Sequence, residues 1–326
     1  MNVISALSSP WAIQPEKFDE ILAVYSSHLR DEATDLDALA AKLGRPVQRR
    51  EQGYTVTRGV AVIPLHGVIA KKMNMFSQIS GGCSTQLVER DIRQALEDPA
   101  VKSIVLHADT PGGTVDGTAE LAESIYRARG RKPIIALADG LRASAGVWIA
   151  SAADAIYLAS PTTQVGSIGV VTRHVDYSGR DKRAGINVTE IYAGKYKRIA
   201  SEHRPLSGDG RSYLQGQVDY LYSIFVNAVA QHFGISSDSV LSDMADGRIF
   251  VGQQAIEAGL ARGFMTLREI VDHAASGRET AAAPRPDPTA ALRAAWNENP
   301  ALRARYAGDF RTYEMAERRR RPTGAR

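Results

Sequence analysis

The feature that most constrains this chain is a succession of short, nearly unbroken apolar runs, each of strand length and each followed by a helical pattern. VAVIPLHGVIA, from residue 60, is rich in Val and Ile and stops at charged residues. The helical stretch QLVERDIRQALED follows it, and then VKSIVLHAD and the Gly turn PGGTVDG lead into TAELAESIYRARG. The strand KPIIALAD precedes a helix beginning near Ser144, and AIYLA adds a short strand. Continuous rather than alternating apolar strands are the mark of strands buried on both faces. Strands and helices joined by connections this short predict an α/β domain with a mainly parallel sheet. In such sheets ligands sit at the carboxyl ends of the strands.

Further along, NVTEIYAG reads as another strand. SYLQGQVDYLYSIFVNAVAQHFG reads as a long helix with Leu214, Val218, Leu221, Ile224, Phe225 and Val229 near one core-facing stripe. DGRIFVGQQAIEAGLARGF closes the domain with a strand and a helix. These patterns divide the 326 residues into three parts. Residues 1–55 form an extension with a helical stretch around Phe18 to Leu43, which packs either on the domain or on a partner. Residues 56–270 form the α/β domain. Residues 271–326 hold the Ala- and Pro-rich segment ETAAAPRPDPTAA, which cannot build a core, and two short stretches, ALRAAW and RTYEMAERRRR, too short to be stable helices alone.

Composition narrows the class. Hydrophobic residues are 44% and charged residues 23%, the balance of a globular protein with a sizeable core. A single cysteine, Cys83, excludes an intramolecular disulfide and a Cys-rich metal site and reads as a small buried thiol. The tail beyond residue 270 holds eleven arginines against seven acids and so carries the whole net charge of +4. A nucleic-acid-binding face on the main body therefore has no support, and the partner of the Arg-rich end is left open. The first residues lack a basic n-region followed by an apolar h-region, and no run reaches the ~18 apolar residues of a bilayer span. The expectation is a protein without a membrane span that stays in the cytoplasm.

Three local segments sit where an α/β active site would put them. DTPGG, at 109–113, follows a strand, and its paired glycines can present bare N–H groups to an oxyanion or merely make a tight turn. RASAG, at 142–146, sets Ser144 between a strand and a helix, either as an exposed nucleophile or as an ordinary helix cap. AGKYKR, at 193–198, follows an expected strand. A lysine there can take a serine proton only in its uncharged form, which burial favours; the plainer reading is a solvated side chain.

Taken in order, these segments resemble the signal peptide peptidase A family of Ser/Lys proteases, of the crotonase and Clp-protease fold group, over roughly residues 56–270. In that family an Asp-Ser-Pro-Gly-Gly turn supplies the oxyanion hole, and DTPGG matches it with Thr110 in place of serine. Ala143-Ser144-Ala145-Gly146, with Trp148 after it, matches the nucleophile segment, with Ala145 in place of a glycine. The Gly-x-x-Lys segment is matched by Gly194 to Lys197, and VGSIGVV, at 165–171, holds the serine that orients the lysine. The resemblance implies Ser144 as nucleophile, Lys197 as general base, Ser167 as its orienting partner, and backbone donors from Gly113 and Ala145, with Gly112 an alternative. It further implies repeated β-β-α units, no cofactor or metal, a protein or peptide substrate and a homo-oligomeric ring. IPLHGVIAKKMNMFSQISGG and the stretch from SIGVV to GKYK look most similar to proteases of tailed phages and prophages that act in capsid assembly. That likeness implies capsid, portal or scaffolding proteins as substrates, with location in the host cytoplasm or the prohead, and self-cleavage in the Pro-rich segment 281–288. The alternatives are a cytosolic peptidase degrading signal peptides or other peptides, and a non-catalytic scaffold.

Other chemistries are weaker. His174, followed by Asp176, is the one histidine that suits a Ser-His-Asp triad, yet TRHVDYSG reads as a surface loop. A crotonase-type acyl-CoA enzyme would need no Ser/Lys pair, and no HExxH or paired-Cys segment suggests zinc. His107 has no role in any of these readings.

Overall fold

The computed structural model describes residues 10–15, 17–18, 53–72, 82–276, 296–297, 299–306, 309 and 313. The helical stretch expected around residues 18–43, apart from Phe18, the Pro-rich segment 281–288, ALRAAW apart from Trp296, and RTYEMAERRRR apart from Tyr313 lie outside them.

The apolar runs form the centre of one seven-stranded sheet. Its strands are β2 (Thr55–Thr57), β3 (Val60–His66), β6 (Ser103–Thr110), β8 (Ile134–Ala143), β9 (Ala155–Leu158), β10 (Gln164–Gly166) and β11 (Ile249–Val251). The spatial order is β11-β10-β8-β6-β3-β2, with β9 also pairing with β8. The inner pairs β3/β6, β6/β8, β8/β9 and β8/β10 are parallel, while β2 and β11 are antiparallel edges.

Alternate strand residues enter two separate cores, which is why the runs are apolar throughout. Ile63, Leu65, Ile104, Leu106, Ile134 and Ala136 face the larger core. It is closed by helices α1 (Thr85–Glu97), α2 (Thr118–Ala128), α3 (Ala145–Ser151) and α5 (Gly208–Phe233). Val60, Val105, Ile135 and Leu137 face the other core, closed by Ile270 and Val271 of α8 (Leu267–Ala275). Between these lie the shorter helices α4 (Ser178–Arg183), α6 (Ser237–Asp243) and α7 (Gln253–Glu257), and α9 (Pro300–Arg305) follows near the end. The expected α/β architecture is thus present, including a β-β-α unit in β6, β7 (Gly112–Thr114) and α2.

A second, four-stranded sheet is ordered β1-β7-β4-β5. It contains β4 (Ile69–Ala70), β5 (Cys83–Ser84) and β7 (Gly112–Thr114), together with β1 (Trp11–Ile13) from the N-terminal segment. Cys83 is buried here, and burial pushes its thiol up to about 12, so it is an inert thiol as expected.

Two expectations require correction. NVTEIYAG forms no strand: residues 187–192 are irregular, and Ile191 is 95% exposed. Apolar residues such as Val188 and Ile191 make a strand only where another strand bonds to them, and the segment adds to neither β2 nor β11, the edges of the large sheet. The stripe of α5 also reaches the core only in its second half, where Phe225, Val226, Val229 and Ala230 are buried. Leu214 and Val218 are only half-buried, because the first half of the helix runs beyond the domain surface, with Tyr220 68% exposed.

Candidate active site

The ends of β6 and β8 lie side by side in parallel register, with a bulge between Ala108 and Thr110. That bulge redirects the chain from the large sheet into β7 of the small one. Thr110 fixes the turn: its Oγ1 donates to Gly67 O at 2.6 Å and accepts from the Gly112 N–H at 3.1 Å. Gly112 has φ +103, and a Cβ there would fall 2.4 Å from Ala12 O and 3.1 Å from Ser144 Cβ. At Gly113 a Cβ would sit 1.8 Å from Ile69 O. The paired glycines are therefore required by close backbone approach as well as by the turn.

Ser144 ends β8 and stands before the first residue of α3 with φ 50 and ψ −109, a strained conformation for a residue with a side chain. Its N–H donates to Gly166 O at 2.8 Å, which anchors it to β10. The hydroxyl makes no capping bond and instead donates to Gly169 O at 3.3 Å. An ordinary helix cap would turn its oxygen to the helix N–H groups, so the cap reading of this serine fails. Ala145 occupies the first helical position, where the N–H has no partner within the helix. Trp148 stacks on Phe225, ring centroids 4.5 Å apart, and locks α3 against α5.

Ser167 follows Gly166, which pairs with Ala143, so it lies alongside the nucleophile segment. It too has positive φ, and its N–H donates to Arg248 O at 2.7 Å. A cleft of about 380 Å³ opens beside it, lined by residues 167–171, α5 and the 245–247 turn, with Ile13 and Pro15 on its rim.

The structure thus gathers Gly112, Gly113, Ser144, Ala145 and Ser167, and it does not bring Lys197 to them. Lys197 is exposed in the loop following the NVTEIYAG segment, and its amine has no partner among the described residues. That loop is itself well tied. Glu190 accepts from Arg198 and from Ser201 Oγ at 2.6 Å, and His203 Nδ1 meets Asp181 Oδ2 at 2.8 Å. The hydrogen bond from Ser201 leads in holding the Glu190 carboxyl below its ordinary range, and His203 does so for Asp181.

Among the described residues no histidine bonds to Ser144 to make a triad. His174 Nε2 lies 2.9 Å from Ser201 O, and Asp176 accepts from the Ser178 N–H at 2.8 Å. His107 pairs with Asp139 at 3.0 Å and packs edge-on against His66. One residue escaped the sequence reading: Arg142 is fully buried two positions before the nucleophile, with a single hydrogen bond to Leu260 O at 3.3 Å. Burial pushes its guanidinium down to about 9. Only tertiary structure reveals it, since an arginine in a sequence ordinarily reads as surface. Among the described residues no His, Cys, Asp and Glu cluster suits a metal ion, and no helix is long and apolar enough to cross a membrane.

Comparison with known proteins places this geometry in context. Residues 127–281 match a family profile described as Peptidase family S49. The chain is 35% identical over 213 residues to capsid assembly protease C of Escherichia phage lambda, covering 65% of this chain and 48% of that protein. It is 34% identical over 214 residues to head-tail preconnector protein GP5 of Enterobacteria phage P21, covering 66% and 42% respectively. A serine protease SPPA, chloroplastic, of Arabidopsis thaliana is 30% identical over 203 residues, 62% of this chain and 30% of that one. The chain spans about half the length of the two phage relatives.

Proposed function

We propose, from the premise that the chain carries a peptidase family S49 domain, that it is a serine endopeptidase in which Ser144 attacks the peptide carbonyl. One observation carries this reading: Ser144 is held in a strained strand-to-helix turn with its hydroxyl withheld from capping, against Gly112 of the paired-glycine turn. Strain at such a point is what a positioned nucleophile requires. In the mechanism the N–H groups of Gly113 and Ala145 hold the oxyanion, with Gly112 kept in place by Thr110. A donor of this kind is worth about 3–4 kcal/mol of transition-state stabilisation. Lys197, oriented by Ser167, takes the hydroxyl proton and returns it to the leaving amine, after which water resolves the acyl-enzyme.

An amine in open solvent is a poor base at neutral pH, so Lys197 must be covered before it works. The surface around it suits a second copy of the chain, because Ile186, Val188, Ile191, Tyr192, Tyr196 and Tyr220 all stand exposed. A homo-oligomer would bury these apolar side chains and desolvate the lysine together. The names of the two phage relatives favour capsid, portal or scaffolding proteins as substrates, and the Pro-rich sequence of 281–288 makes that segment a further candidate cleavage site. The likeness to a serine protease named SPPA favours a second reading, a peptidase acting on signal peptides or other short peptides.

The test is labelling with a fluorophosphonate, mapped by mass spectrometry, alongside co-expression with a phage capsid protein and measurement of product masses. Label on Ser144 and shortened capsid protein support the reading. Label on another residue, or none on an assembled sample with its cleft open, overturns it.

A further inference from the structure

Ser144 has 0% exposure, which a working nucleophile cannot keep. The chain's own N-terminal segment lies against it: a Cβ on Gly112 would meet Ala12 O at 2.4 Å, Ile13 Cα at 3.0 Å and Ser144 Cβ at 3.1 Å. Trp11–Ile13 runs antiparallel to Gly112–Thr114, with Trp11 opposite Thr114, Ala12 opposite Gly113 and Ile13 opposite Gly112. On its other side Trp11 exchanges two 2.8 Å backbone bonds with Val171, two residues beyond the Gly169 carbonyl that holds the Ser144 hydroxyl. The segment is therefore an extended strand inserted between the two stretches of backbone that border the nucleophile.

The register has a chemical consequence. In an antiparallel strand, consecutive residues turn their N–H and C=O to opposite sides. Since Trp11 spends both groups on Val171, Ala12 turns its own towards Gly113. The Gln14 N–H, donating to Pro111 O at 2.8 Å, continues the same alternation. Both glycine N–H groups of the turn are then engaged, Gly112 by Thr110 and Gly113 by Ala12. The side chains alternate too. Ala12 packs into the main core, while Trp11 and Ile13 join Phe18 and Val68 in a small separate cluster. The larger side chains of the segment are thus held apart from the central core, into which only the methyl group of Ala12 reaches.

Strand addition to exposed backbone edges is a general way to bind an extended peptide. We propose that Trp11–Ile13 is an inhibitory strand, occupying the place of a substrate peptide beside Ser144, and that it must leave before an external chain is cleaved. This rests on the reading of Ser144 as nucleophile, and the experiment separates the two.

The full-length protein and its W11D/I13D variant are compared, with I13A as a milder variant should the double one fail to fold. Two quantities are measured: amide hydrogen exchange at Gly113 and Val171, whose N–H groups face the strand, and the rate of fluorophosphonate labelling of Ser144. The expected result is exchange raised at both amides together with labelling at least tenfold faster, reversed by adding the peptide Pro-Trp-Ala-Ile-Gln-Pro. Exchange that rises while labelling stays at a rapid wild-type rate overturns the inhibitory strand and leaves the nucleophile standing. Raised exchange with no labelling in any variant removes the nucleophile, and the inhibitory role with it. Unchanged exchange in a folded variant overturns the strand's displacement outright.

Discussion

The two halves of the proposed catalytic pair are built in opposite ways. Ser144 sits at the junction of two parallel strands and a helix, wholly buried and fixed by backbone bonds to β10. Lys197 stands in solvent on an irregular loop surrounded by exposed apolar side chains. The contrast teaches that one chain can fix the proposed nucleophile beside the paired glycines while leaving the proposed base in solvent. Neither burial, which favours an uncharged amine, nor contact with Ser144 is given to Lys197 by the described residues.

The largest effect is expected where the halves must cooperate. Ser144→Ala and Lys197→Ala should each reduce peptide hydrolysis by roughly 10⁴- to 10⁶-fold, as loss of a nucleophile or its base does. They should differ in stability, since Lys197→Ala removes an exposed side chain and should shift unfolding by less than about 0.5 kcal/mol. Turnover retained by Lys197→Ala would break the pairing and leave Ser144 in search of another base.

Next comes the turn. Gly113→Ala puts a methyl 1.8 Å from Ile69 O, so the small sheet must shift. A loss of more than about 2 kcal/mol in denaturant unfolding is expected, with activity falling in parallel. An unchanged midpoint would mean that β4 and β7 are not packed as closely as described.

A smaller effect sharpens the contrast at the base. Ile191→Ser should leave monomer stability within about 0.5 kcal/mol, because Ile191 touches little in the single chain. If a second copy covers that loop, the same change should shift sedimentation towards smaller species and slow hydrolysis about tenfold, that is by ~1.4 kcal/mol. Activity and assembly both unaffected would remove the oligomer from the mechanism.

The smallest effect is on the loop's tethers at acid pH. Asp181 and Glu190 are carboxylates whose folded values lie below the ordinary range. Their contribution is complete above the unfolded value, near 4, and fades as pH falls through the folded one. Hydrogen exchange in 181–203, corrected for its intrinsic pH dependence, should therefore rise between about pH 5 and 3, with β6 and β8 unaffected. Equal loosening of both regions would show that the loop has no separate anchorage.

Some of this was legible in residue order. Runs such as VKSIVLHAD and KPIIALAD are apolar at every position because both faces of their strands are covered, and this alone specifies a parallel sheet with helices on each side. The paired glycines and the Ala-Ser-Ala turn marked the nucleophile's neighbourhood, because few residue types tolerate such close backbone approach. The N-terminal strand was not legible: Trp-Ala-Ile is too short to signal a strand, and its pairing partners lie about 100 and 160 residues away. NVTEIYAG failed in the reverse direction, reading as a strand but pairing with no edge of the sheet.

The sequence by itself determined the central parallel strands and which serine follows a strand beside paired glycines, since apolar runs and glycine requirement are local properties. Tertiary structure alone decided that Arg142 is buried, that Trp11–Ile13 lies over Ser144, and that Lys197 faces solvent. Burial depends on what the rest of the chain leaves uncovered, and no window of neighbouring residues carries that information.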